Sequence, residues 1–310
     1  MAGGPVAALS SDGLMLHLQH GPTDLIITAN GASGARERAF TRARVALNGV
    51  IEELVGELSE LRRPATSRIE VRGQVARRMV VATAHFASSF VTPMAAVAGA
   101  IADHVLEASW ADDLERLTIN NGGDVAFGLA VGASTRIGVV TSLAEGVVNG
   151  SILIDSSSPV RGVATSGWRG RSFSMGIADA VTVLARDAAT ADAAATVVAS
   201  AVDLPGHPGI SRVPASQLDE SSDLGWRLVT RGVEPLSERE REAALEPGVA
   251  LAESLLRRGV IEGAHLTIAG TRVSVHRGSV NAPFEGLGSI PGDILLTTSK
   301  ESSSEDVRDV

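Results

Sequence analysis

The sequence predicts an α+β fold, with two related sheet-plus-helix halves fused into one compact body. Three observations predict it. Short β-branched and aliphatic runs separated by glycine-rich turns read as strands. Two helical stretches, residues 93–108 and 188–202, are built largely of alanine and other small residues, so they can approach a sheet closely. Strands followed by such a helix occur twice along 310 residues, and the 44 % hydrophobic content supplies a sizeable core.

Residues 1–13 are small and polar and read as a disordered N-terminus. Residues 14–297 read as one domain, opening with two alternating runs around Gly21-Pro22, a hairpin signal. Residues 36–61 carry Phe40, Leu47, Val50, Ile51, Leu54, Val55, Leu58 and Leu61 at helical spacing. Thr92-Pro93 starts the first small-residue helix: threonine is a good N-cap, and proline suits the first position because its missing N–H would be unpaired there anyway. Strand runs follow at 116–119, 125–129, 137–141, 151–154, 160–165 and 180–185. Ser237 with Glu240 forms a capping box for a helix that Pro247 is expected to kink or break. Residues 264–268 and 272–276 form a hairpin, and 298–310 read as a disordered polar tail.

Composition excludes several functions. Lys and Arg number 27 against 36 Asp and Glu, a net charge of −9 that disfavours a phosphate-backbone binder. Aromatic residues make up 3 % and tyrosine is absent, so base-stacking platforms are not expected and nucleic acid is not a partner. Without cysteine there is no disulfide, thiolate zinc site or cysteine nucleophile, which fits a reducing cytoplasm. No apolar run is long enough to span a bilayer, so a membrane is not a partner either. The seven histidines show no metal-ligand spacing. A small-molecule ligand is the expected partner, and a homodimer is compatible with the sequence.

Four segments could carry chemistry. In Asn120-Asn121-Gly122-Gly123-Asp124 the glycines let backbone N–H groups meet a ligand, although a plain Asn-Gly hairpin turn explains the same residues. Thr165-Ser166-Gly167 with Arg169 and Arg171 suits an anion, or is simply a strand end with surface arginines; Ser166 as a nucleophile would need a base that no local histidine supplies. Asp192 and Thr196, four apart on a helix, offer hard oxygens to Mg²⁺, or one caps and the other packs. Free N–H groups at the Thr92-Pro93-Met94 helix start favour an anion. Asp103, further along that helix, should be buried, and Arg77-Arg78 are its candidate partners.

The conjunction is more specific than its parts. Ile119–Asp124, Val163–Gly167 and Ala191–Thr196 resemble, in order and spacing, the signature segments of the ApbE-like superfamily of FAD:protein FMN transferases. His20-Gly21-Pro22, Val75–Met79, Thr92–Gly99 and Phe173–Asp179 are similar to a shorter branch of it. The resemblance implies an ApbE-like fold, a cleft lined by the glycine loop, Mg²⁺ at Asp192 and Thr196, and FAD or FMN as ligand. A His-Ile-Ile-Asp-Pro-x-Thr-Gly segment, which follows the Thr-Ser-Gly strand in flavin transferases, is replaced here by Ser174-Met175-Gly176-Ile177-Ala178-Asp179, which argues against FMN transfer to a protein threonine.

Three functional readings follow. One is a Mg²⁺-assisted transferase or hydrolase acting on a nucleotide, flavin included. The second is a hydrolase of a small anionic metabolite, cyclic ones included, with Asp179 or Asp124 as base and Arg78, Arg169 and Arg171 as the anion clamp. The third is a non-catalytic binder of such a ligand.

Overall fold

Alternation of apolar and polar residues builds the first hairpin, β2 (Met15–His20) and β3 (Thr23–Gly31), whose buried positions fall on every second residue. A computed structural model describes residues 4–142 and 147–276 of the chain. The hairpin is followed by α1 (Ala35–Leu47), α2 (Val50–Gly56), α3 (Leu58–Leu61), α4 (Gln74–Ala84) and a 3₁₀ turn at Pro93–Ala96. Then come α5 (Val97–Ser109) and a second hairpin, β4 (Leu114–Asn121) with β5 (Asp124–Leu129). The later half repeats this plan. Hairpin β8 (Gly162–Ser166) with β9 (Ala180–Ala185) leads into α6 (Ala188–Ala201), and α8 (Glu238–Arg257) leads into hairpin β12 (Gly263–Ile268) with β13 (Thr271–His276).

The four hairpins join edge to edge in one antiparallel nine-stranded sheet. Its order is β1-β2-β3-β4-β5-β8-β9-β12-β13, with β1 (Val6–Leu9) at one end. The helices cover one face, where Leu25, Ile27, Leu117, Ile119, Ala164, Val181 and Leu266 belong to the large core. On the other face Val125, Phe127 and Val163 pack against Ile137 and Ile154. Those two belong to a separate hairpin, β6 (Ser134–Ser142) with β7 (Val147–Asp155). A third small sheet pairs β10 (Ile210–Pro214) with β11 (Leu228–Val233), joined by the short helix α7 (Ala215–Leu218) and residues 219–227.

The two small-residue helices lie against each other as well as on the sheet. A Cβ added to Gly99 of α5 would sit 2.2 Å from the Ala188 carbonyl oxygen, and one added to Gly162 of β8 would sit 2.3 Å from the Ala188 nitrogen. The first turn of α6 is thus wedged between a glycine of α5 and a glycine of β8.

Several expectations are corrected. The long helix over 36–61 is three helices, because Asn48 is extended and Gly49 takes φ 82°, which ends one helix before the next begins. The helix after Ser237 has the expected capping box but runs through Pro247 to Arg257. Pro247 is exposed, so the carbonyl freed by its missing N–H stays solvated. Within the stretch read as fraying, Val6–Leu9 pairs with β2, although all four residues are exposed as befits an edge strand. The predicted tail at 298–310 lies outside the described residues.

Gly99→Ala should destabilise the protein by about 2 kcal/mol, because the added methyl meets backbone rather than a mobile side chain. Gly56→Ala, with nothing within 4 Å of its added Cβ, should leave stability unchanged or slightly raised. Urea unfolding of the two variants checks the pair.

Candidate functional site

Antiparallel hairpins place their turn residues at one end of the sheet, and the start of α5 lies over the turn between β4 and β5. Gly122 and Gly123 form that two-residue turn, with φ of 64° and 114°. Asn120 accepts the Gly123 N–H at 2.9 Å, so this amide serves the turn and not a ligand. Alternation sends Asn120 to the sheet face away from the helices and Asn121 toward them, where its Nδ2 donates to the Ala98 carbonyl at 3.0 Å.

Asp192, one turn into α6, accepts the Gly99 N–H at 3.0 Å and also the Ala98 N–H. The α-helix starts at Val97 and not at Pro93 as expected, and the amides of its first turn are satisfied by a carboxylate of the chain itself. The arrangement is reciprocal: Asp103 of α5 accepts the N–H groups of Ala188 and Ala189 at 3.0 and 2.9 Å. Each antiparallel helix caps the other. Asp103 does not pair with Arg77 or Arg78 as expected; Arg78 pairs with Glu107. Burial pushes the Asp103 carboxyl up to about 7 against the pull of its two N–H donors.

Asp124 follows the turn and faces the helices. Burial raises its carboxyl to about 7, opposed by the Thr165 N–H and the positive charge of Arg171. Burial also holds Asp192 well above the ordinary carboxylate range, and the charge of Asp124 raises it further. The two carboxylates thus act on one another across the start of α5 as like charges. Arg171 is exposed and lies over the turn; a Cβ on Gly122 would fall 1.8 Å from its Nη2. The missing side chain of Gly122 is what lets a guanidinium lie so close to the pair.

Ser166 shares the helix-facing side of β8 with Ala164, in register with buried Val181. Thr165 does not share it: its hydroxyl meets that of Thr182 at 2.9 Å on the opposite face, and only its backbone N–H reaches Asp124. Gly167 is buried with no room for a Cβ, which would lie 2.4 Å from the Asp179 carbonyl oxygen. Asp179 is itself engaged, by the Ala269 N–H at 2.6 Å and by Arg169 at 3.1 Å. Arg169 also lies 4.2 Å over the Trp168 ring. Arg78 lines a different cleft, of about 610 Å³, with Asp103, His104 and Asp187. Thr92 is buried and donates to Asp223, while Met94 sits in a 3₁₀ turn packed on the core. Thr196 stands one turn beyond Asp192, half-buried on the same stripe of α6.

The site thus gathers Asn121, Gly122, Asp124, Ser166, Arg171 and Asp192. The pairing of Asp124 with Asp192, 68 residues apart, is the feature that sequence spacing did not reveal. Among the described residues no group of three or more Asp, Glu or His could hold a metal by itself, and no helix is long and apolar enough to cross a membrane.

A UPF0280 protein of Methanothrix thermoacetophila is 36 % identical over 156 residues, 48 % of this chain and 61 % of that protein. One of Methanothermobacter thermautotrophicus is 39 % identical over 152 residues, 46 % of this chain and 53 % of that protein. The chain spans about half the length of the curated relatives it matches. Among solved structures, the Pseudomonas stutzeri flavinyl transferase ApbE in its apo form is similar at 13 % identity and a TM-score of 0.46, covering 89 % of this chain and 95 % of that one. Residues 7–275 match the family described as AbpE bacteria, and that match, over most of the chain, establishes that it belongs to this family, the ApbE-like branch its motifs resemble.

Proposed function

We propose that the cleft at the start of α5 binds a phosphate-bearing nucleotide, a flavin nucleotide foremost, together with Mg²⁺, and that the chain acts on it as a transferase or hydrolase. One observation carries this reading: Asp192 and the β4–β5 turn that bears Asp124 converge on the start of α5, where Asp192 holds the Gly99 amide and Asn121, in register with Asp124, holds the Ala98 carbonyl, and the charge of Asp124 adds to burial in raising Asp192. A pair of buried like charges is costly unless it holds a proton or a cation. The residues fit Mg²⁺, which favours hard oxygens and completes its shell with phosphate. Asp124 and Asp192 would hold it, with the Thr196 hydroxyl on the same helix stripe, and when bound it would neutralise charge developing on a phosphoryl oxygen.

The residues of the chain supply the rest. The Ala98 and Gly99 amides fix the Asp192 carboxylate, and the Thr165 N–H fixes Asp124. Both carboxylates are thereby positioned before any ligand arrives. Arg171, exposed and lying against the Gly122 turn, offers its guanidinium to a ligand phosphate beside the pair. Without the cation, Asp124, its carboxyl raised to about 7, is the carboxylate suited to take or give a proton there. Asp179 is less suited, because Ala269 and Arg169 occupy its oxygens. Replacement of the His-Ile-Ile-Asp-Pro-x-Thr-Gly segment speaks against a protein threonine as acceptor.

Calorimetric titration of Mg²⁺ should give weak binding alone and saturable binding in the presence of FAD or FMN. Asp192→Asn and Asp124→Asn should each weaken the flavin-dependent binding at least tenfold, whereas Asp179→Asn should not. Equal titrations for all four proteins would remove the cation site.

The same pair sets a pH dependence. Its carboxyl groups are raised above their unfolded value of 3.8, so folding takes up protons across that interval. Their stabilising contribution is fully present below about pH 4 and is lost as pH rises through about 7. Urea midpoints of the metal-free protein should fall between pH 4.5 and 8. In Asp192→Asn, which removes one of the two raised carboxyl groups, the fall should be shallower.

A further inference from the structure

Four polar side chains stand directly opposite one another on four successive strands, on the sheet face away from the helices. Thr165 of β8 faces Thr182 of β9, which faces His265 of β12, which faces Ser274 of β13. The two threonine hydroxyls are 2.9 Å apart, and His265 Nδ1 lies 2.8 Å from Ser274 Oγ. Elsewhere on that face Val125, Phe127 and Val163 close-pack beneath β6 and β7.

Over Thr182, His265 and Ser274 the packing opens into a pocket of about 140 Å³, walled by Ile152 and Leu153 of β7 and by Leu184. Protein interiors keep few voids larger than one water, and a space of this size accommodates roughly one six-membered ring. Burial, aided by Arg272, holds the His265 imidazole down at about 4, so it is uncharged at neutral pH. Ser274 and His265 have the spacing of a nucleophile and its base, yet so weak a base could not keep the serine proton, which argues against covalent catalysis. What remains is an apolar slot with a floor of fixed, uncharged hydrogen-bonding groups.

We propose that this row is the floor of a second ligand site, which takes a small uncharged ring compound bearing one hydrogen-bonding substituent, such as a phenol or a carboxamide. It lies across the sheet from the carboxylate pair, its chemistry is uncharged where that cleft is ionic, and it does not depend on the nucleotide reading.

The test titrates phenol, benzamide, benzoate and benzene into the full chain and follows the methyl NMR signals of Ile152 and Leu184. Phenol and benzamide should give saturable shifts confined to these methyls, with benzoate and benzene at least tenfold weaker. Thr182→Val, which keeps the side-chain shape, and Ser274→Ala, at a position already exposed, should each weaken phenol binding several-fold without lowering the melting temperature. Benzene binding as tightly as phenol, no saturation with any compound, or unchanged binding in both variants would each overturn the proposal. The Mg²⁺ and FAD titration of Thr182→Val should match that of the parent protein, so the two sites fail or stand separately.

Discussion

Reciprocal capping between α5 and α6 is the constraint on which the rest of this structure depends. A helix start leaves N–H groups without partners, and burying them unpaired is costly. Here each buried start is satisfied by an aspartate from the other helix, Asp192 for α5 and Asp103 for α6. A cap of this kind contributes about 1 kcal/mol, and two of them fix the helices in one antiparallel register. Gly99 makes the register reachable, since any side chain there would strike the backbone at Ala188.

The candidate site grows out of that constraint. Asp192 must lie at the start of α5 to cap it, and the start of α5 lies beside the turn that carries Asp124. Two half-buried carboxylates are thereby brought to one place, and the exposed Arg171 is the positive charge that acts on Asp124. What is a structural cap on one side is a repelling pair on the other. Asp103 makes the same kind of cap at the start of α6, also with a like-charged neighbour, Asp187, but its cleft adds Arg77 and Arg78. The two halves share a plan and differ in charge.

The sheet separates two kinds of chemistry because its side chains alternate. Along β8, Ala164 and Ser166 face the helices while Val163 and Thr165 face β6 and β7. Neighbouring residues of one sequence motif therefore take opposite faces of the sheet. A motif read as a unit, Thr165-Ser166-Gly167, divides in space into a polar row, a cleft residue and a packing glycine.

The sequence by itself determined the class of the fold, the paired halves, most strands, both small-residue helices and the family. Those rest on local signals: alternation, small-residue composition, a capping box and turn glycines. It also marked Asp103 as an odd buried carboxylate and Asp192 as a hard-oxygen donor. Only the tertiary structure decided what these residues meet. Asp103 turns to backbone amides and not to Arg78, Asn120 turns away from the cleft, and Asp124 meets Asp192 across 68 residues of chain. The reason is physical. Spacing along a strand or helix fixes the face a side chain takes, but the partner on that face is set by how separate elements pack.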